Sequence, residues 1–291
     1  MQLDVLVRLG LLASIWLTVF SLGARTSVGG ALSVLRKPDS LLRMLAAMFA
    51  VVPVFALVLA STTSIPPAIK FAIVAMSVAP VPPILTYKQM KAGGEGNYGV
   101  GLLVAASLAS IVLTPLMIEL AGRLLGTEAA VTPAKVVRTL LLSTGLPFAA
   151  GMLLRTASEP AARAVRDLAQ RVGGILLLVI LVLLVAVSWR GLLGLLQNGG
   201  GLAIAATVAV GLAAGHLIGR PGDKSALALA AASRHPGVAL AIAEMSFPDE
   251  RKTLTAAILL FLLITALVTA PYVRWAAKRP RGPEPASANE D

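Results

Sequence analysis

The chain has 291 residues, 57% of them hydrophobic and 13% charged, with a mean hydropathy of +0.86. A soluble domain is about 25% charged, so this surface cannot be solvated like that of a soluble enzyme, and a disordered chain or a coiled coil is excluded as well. A polytopic membrane protein remains. At about 20 residues per span plus a short connection, the length allows nine or ten spans and no further domain.

The apolar runs are continuous rather than alternating, so the class is all-α and not a β-barrel. No cysteine is present, which removes disulfides and thiol chemistry. The N-terminus MQLDVLVRLG lacks a basic stretch and a cleavage site, and reads as a first span. Nine segments are predicted: 4–23, 41–62, 67–91, 97–121, 138–155, 172–189, 201–219, 224–247 and 253–276. Together they form a transmembrane transporter domain over 1–277. The stretch 278–291 is Pro-rich and charged, and reads as a disordered cytoplasmic tail.

Nine spans place the termini on opposite sides. Sixteen of the 25 Lys and Arg residues then fall on the side of the C-terminus and seven on the other, with Arg8 and Arg234 inside spans. By the positive-inside rule the C-terminus is cytoplasmic and the N-terminus outside, in a cell-membrane protein. The same asymmetry accounts for the net charge of +11 without nucleic acid as a partner. The expected partner is the lipid bilayer.

Two spans are interrupted. In the third, Pro80, Pro82 and Pro83 remove three backbone donors within four residues. The expectation is a helix to Val78, an extended crossing at 79–83, and a half-helix from Ile84 to Met90. In the eighth, Pro236-Gly237 follows Ser233-Arg234-His235, and a second half-helix is expected from Gly237 or Val238. Irregular backbone at membrane depth survives only inside protein or along an aqueous cavity. The breaks fall at corresponding places in two halves, about 1–125 and 135–277. That is the pattern of an inverted repeat, four spans plus five, with binding at the midplane. The competing reading is a pair of Pro-kinked helices packed for shape alone.

With these features on view, the sequence resembles the bile acid:sodium symporter superfamily over nearly its whole length. The residues that carry the resemblance are Phe20-Ser21-Leu22-Gly23, Arg36-Lys37-Pro38, Pro53, Tyr87 to Gly93, Leu113-Thr114-Pro115 and above all Ala232 to Leu240. The resemblance implies a panel domain and a core domain, with the broken helices crossing in the core, and a nine-span form lacking the first helix. It also implies where sodium ligands would stand. The family's crossover carboxylate falls at Ala230, the following amide at Arg234, a Ser-Asn pair at about Leu85-Thr86, and a second-span amide near Met48. Nearly all of those side-chain oxygens are missing here. The expected function is therefore secondary transport of a small organic anion by alternating access, not coupled to sodium through those sites. No metal site and no cofactor are expected.

The substrate-binding candidates are Ser233, Arg234, His235, Gly237, Thr86 and Tyr87. Arg234 could clamp a carboxylate or sulfonate through its fork of donors, helped by the amides of Gly237 and Val238. It could equally replace the sodium charge and lock the core. His235 fits a proton relay, or a cap on a carbonyl at the break. Glu244 fits a partner of Arg234 or an interfacial group, and Glu119 an interfacial one. Lys88 and Lys91 read as headgroup contacts. His216, among Gly211, Gly215 and Gly219, reads as a packing histidine on a small-residue face. A sodium-coupled symporter with altered ligands is the alternative within the class. A lipid-modifying membrane enzyme and a channel are alternatives outside it. Neither HExxH, a Walker motif, an Asp-rich prenyl motif nor GxSxG is present.

Overall fold

The computed structural model describes residues 2–82, 85, 96–124 and 133–278, and among them helix is the only regular structure. Pro83, Thr86, Tyr87, Lys88, Lys91, most of the half-helix expected from Ile84 to Met90, and the tail beyond Lys278 lie outside the described residues.

The chain opens with α1 (Gln2–Arg25), the short α2 (Val28–Leu32) and α3 (Pro38–Leu45). A π-helical turn, Ala46–Val51, joins α3 to α4 (Val52–Thr62). Then follow α5 (Pro67–Val78), α6 (Gly96–Leu124) and α7 (Pro133–Leu140). A second π-helical turn, Leu141–Gly145, leads into α8 (Leu146–Ala157). The rest is α9 (Glu159–Gln197), α10 (Gly200–Ile218), α11 (Lys224–Ala232), α12 (Pro236–Ser246) and α13 (Arg251–Ala277). Seven helical stretches in the described residues are long and apolar enough to cross a membrane. Two shorter apolar helices, Leu9–Arg25 and Pro67–Val78, stand beside them.

The burial pattern separates lipid-facing from central elements. Only 11% of the apolar window of Glu159–Gln197 is buried, and Ile175, Leu178, Val179 and Val182 stand out from the surface. In water such an apolar face would demand a partner; in a bilayer it is the solvated one. At 39 residues α9 is also far longer than the hydrocarbon core requires, about 58 Å at 1.5 Å per residue. Its first turns, from Glu159 to Arg171, carry the charges that fit this excess. The apolar window within Lys224–Met245 is 83% buried. This interrupted stretch therefore runs through protein, as its unpaired backbone demands.

Small residues let the helices approach. Side by side, α1 crosses α8 at Gly23 and Gly151, where an added methyl would run into the partner's backbone. On its other face α1 meets α9 at Gly173, whose carbonyl accepts from Ser14 Oγ at 2.7 Å. The expected small-residue face of α10 is occupied by α11: Gly211, Gly215 and Gly219 each abut the backbone of residues 224–232. His216, on the same helix, bonds the hydroxyl of Tyr272 at 2.7 Å and packs against Trp275, so α13 supplies its partners.

Candidate functional site

The two interrupted spans meet at their breaks. Helix α5 stops at Val78, and Ala79 turns to extended geometry (φ −63°, ψ 152°). Helix α11 stops at Ala232, with Ser233 extended (φ −112°, ψ 128°) and His235 likewise (φ −79°, ψ 106°). The next half-helix begins at Pro236, a residue or two before the sequence expectation. Proline is suited to that first position, since its missing N–H would lack a partner there anyway. Between the two strands of irregular backbone runs one hydrogen bond, from His235 N–H to the Pro80 carbonyl at 2.8 Å.

The chemistry of this crossing is set by carbonyls that prolines leave without donors. In a continuous helix the carbonyl of residue i takes the N–H of residue i+4. Pro82 and Pro83 have no N–H to give to Val78 and Ala79. Both carbonyls find side chains instead. The Val78 carbonyl accepts from Thr114 Oγ1 at 2.6 Å, which gives the Leu113-Thr114-Pro115 segment of α6 its role. The Ala79 carbonyl accepts from Arg234 Nη1 at 3.3 Å.

A third orphan carbonyl comes from the second span by the same logic. In π-helical geometry the donor for residue i is residue i+5. The donor for Met48 would be Pro53, which has none. The Met48 carbonyl accepts instead from Arg234 Nη2 at 2.7 Å. The Phe49 ring lies 5.8 Å from the guanidinium carbon and adds a cation–π contact.

Arg234 is thus 2% exposed and spends both terminal nitrogens on backbone oxygen. Among the described residues no carboxylate pairs with it. Glu244, weighed as its partner, bonds Arg251 Nε at 2.8 Å. Glu119 pairs with Arg123 one turn on, at 2.5 Å. The C-terminal ends of α5 and α11 both point their negative dipole ends at the crossing, which favours a cation there. Three buried atoms of the second crossover have no hydrogen-bond partner: Ser233 Oγ, Arg234 Nε and His235 Nδ1. Of the positions that the resemblance assigns to sodium ligands, Ala230, Leu85 and Met48 carry apolar side chains and Arg234 a cation. Ala230, Leu85 and Met48 are all at most 1% exposed.

A cavity of about 1320 Å³ lies between α1 and α9 on one side and α5, α12 and α13 on the other. It exceeds the ~300–1,000 Å³ of an ordinary ligand pocket. One wall is aliphatic, with Leu11, Ile15, Leu183 and Val187, while Asn198, Glu244, Arg251 and Lys252 supply polar groups. Of the substrate-binding candidates Gly237 lines it; Ser233, Arg234 and His235 are buried just before that residue, and Thr86 and Tyr87 are not described. The tip of the Ile15 side chain lies 2.7 Å from where a Cβ of residue 237 would stand, so a larger residue there would require Ile15 to move aside. Asn198, Arg251 and Lys252 carry no site signal in the sequence. The Met48 and Ala79 carbonyls carry no side-chain signal of their own; only the prolines downstream of them mark them.

The sequence model of the Sodium Bile acid symporter family matches residues 12–197. The chain belongs to that family. It is a multi-pass membrane protein of a transporter family, and that membership does not suggest an enzyme. The matched stretch of the family covers α1 through α9, including the first crossover. The second crossover, with Arg234, lies beyond it. Curated proteins give no significant match.

Proposed function

We propose that this member of the family is a nine-span secondary transporter that carries a small organic anion by alternating access, without coupling to sodium through the sites its resemblance implies. The seven long apolar stretches and the two shorter apolar helices add up to nine elements, and the two broken spans fit a four-plus-five inverted repeat. With the N-terminus outside and the C-terminus cytoplasmic, the large cavity opens between the two groups of helices on the outer side.

One observation carries the uncoupled reading: the guanidinium of Arg234 sits on the Met48 and Ala79 carbonyls at the crossing. Na⁺ is a hard cation that takes several oxygen donors. Here two carbonyl oxygens are engaged by a fixed cation, and Ala230, Leu85 and Met48 bring no side-chain oxygen. The residues present do not fit sodium at this place. For the substrate, Gly237 at the start of α12 lines the cavity next to a positive helix end, with Ser233 and His235 just before it; Thr86 and Tyr87 are the further candidates from the first crossover sequence. In this arrangement Arg234 acts on the anion by its field more than as a clamp.

The test is uptake of small carboxylates, keto acids and sulfonates into proteoliposomes, under sodium, potassium and proton gradients in turn. Saturable uptake of one such anion that ignores the sodium gradient is expected. Concentrative uptake driven by inward sodium, with a measurable sodium affinity, favours the sodium-coupled alternative and overturns this reading. A chemically altered product would instead point to the lipid-modifying enzyme.

A further inference from the structure

We propose that Arg234 is a tethered cation: a positioning residue whose guanidinium does permanently, from within the chain, what a bound monovalent cation would do at the meeting of two half-helix ends. The inference deepens the sodium-independent reading above and rests on it for its consequence in transport.

The donor set argues for it. The orphan carbonyls at Ala79 and Met48 come from two different helical segments and converge on one side chain. Each is orphaned by a proline, so the local backbone cannot satisfy it. A buried carbonyl without a donor is costly, and two that face the same point call for a cation or a multi-donor group. Arg supplies both. Its planar fork reaches two acceptors at once, and it keeps its charge where lysine readily loses it. The ends of α5 and α11 add their dipoles, and Phe49 adds its ring face. A diffusible ion at this place would make the core's packing depend on the salt around it. A covalent one removes that dependence. The cation also ties three segments together: the second-span π turn, the end of α5 and the 233–235 strand.

Thermal unfolding of the full-length purified protein in detergent tests this without any substrate. Wild type is measured in sodium, potassium and choline chloride at equal ionic strength, and the same midpoint is expected in all three. In Arg234→Ala the midpoint is expected to fall on the order of 10 °C, from two orphaned carbonyls and a cavity. Low millimolar guanidinium then raises it in the variant and leaves wild type unmoved. Should Arg234→Ala fail to fold, Arg234→Lys and Arg234→Met separate charge from bulk, and the order wild type, Lys, Met is expected. A sodium-specific rise in wild type overturns the proposal. So does an Arg234→Ala midpoint equal to wild type, or a Met variant at least as stable as the Lys one. Sodium-driven uptake found alongside an unchanged salt-independent midpoint would defeat the transport reading and leave the tethered cation standing.

Discussion

The close approach of α10 and α11 can be broken by one methyl group. A Cβ on Gly215 would stand 2.5 Å from the Leu227 carbonyl oxygen and 2.6 Å from the Ala228 nitrogen, and closer still to the Ala228 Cα. Ordinary contacts of this kind begin near 3.4 Å, and backbone atoms cannot rotate aside, so Gly215→Ala must push the helices apart by roughly 1 Å. Overpacking of that kind costs about 1–3 kcal/mol. At about 2–4 °C per kcal/mol the unfolding midpoint should drop by about 2–12 °C. The same displacement carries Ser233, Arg234 and His235 with it. The Arg234 Nη1 bond to Ala79, already 3.3 Å long, would then exceed hydrogen-bond range. Gly174 provides the control, since nothing lies within 4 Å of a methyl there. In the middle of α9, Gly174→Ala removes glycine's entropic penalty and should stabilise by about 0.5–1 kcal/mol. Thermal unfolding of both variants in detergent decides the matter. A Gly215→Ala protein indistinguishable from wild type, or less affected than Gly174→Ala in the destabilising direction, would refute the argument that this interface is set by backbone contact.

Two further outcomes follow from partly buried pairs. Glu244 and Arg251 are 17% and 33% exposed, so their ion pair is better shielded than the surface pairs and should show a coupling near 1 kcal/mol in a double-mutant cycle of Glu244→Gln and Arg251→Gln; a coupling of zero would place the pair with surface ion pairs such as Arg163–Glu159. Tyr272→Phe removes the hydroxyl on His216 Nδ1 but keeps the edge-to-face ring contact, and should cost about 1 kcal/mol of stability. His216→Phe should cost a similar amount, and the two together less than their sum, as calorimetry or thermal unfolding can show.

The broken spans were legible because proline acts locally. Pro80 and Pro82 end α5 at Val78 whatever surrounds it, and Pro236 starts α12 by its own fixed φ. The lipid-facing helix was legible from its unbroken apolar run, although its 39-residue length was not, because the turns from Glu159 to Arg171 are amphipathic rather than apolar. The pairing of Glu244 with Arg251 has a geometric cause. Seven residues separate it from Arg251, nearly two helical turns, yet the 3₁₀ turn Pro248–Glu250 folds the chain back and brings the two charges together. Depth in the membrane suggested Arg234 as partner; connectivity through a tight turn decided otherwise.

The partners of Arg234 were hidden for a different reason. Side-chain ligands leave a mark in the sequence, since a carboxylate or an amide has a letter. A carbonyl acceptor has none, because every residue carries one. What does leave a mark is the absence of a donor. Pro53 stands five residues after Met48, and Pro83 four after Ala79, so the two carbonyls that Arg234 reaches are those whose helical donors the sequence deletes. The first inference needs the π register as well as the proline, and nothing in Ala46–Val51 announces that register. The second needs only the α-helical rule. An arginine at membrane depth should therefore be matched first against prolines four residues downstream of candidate acceptors, and against carboxylates second.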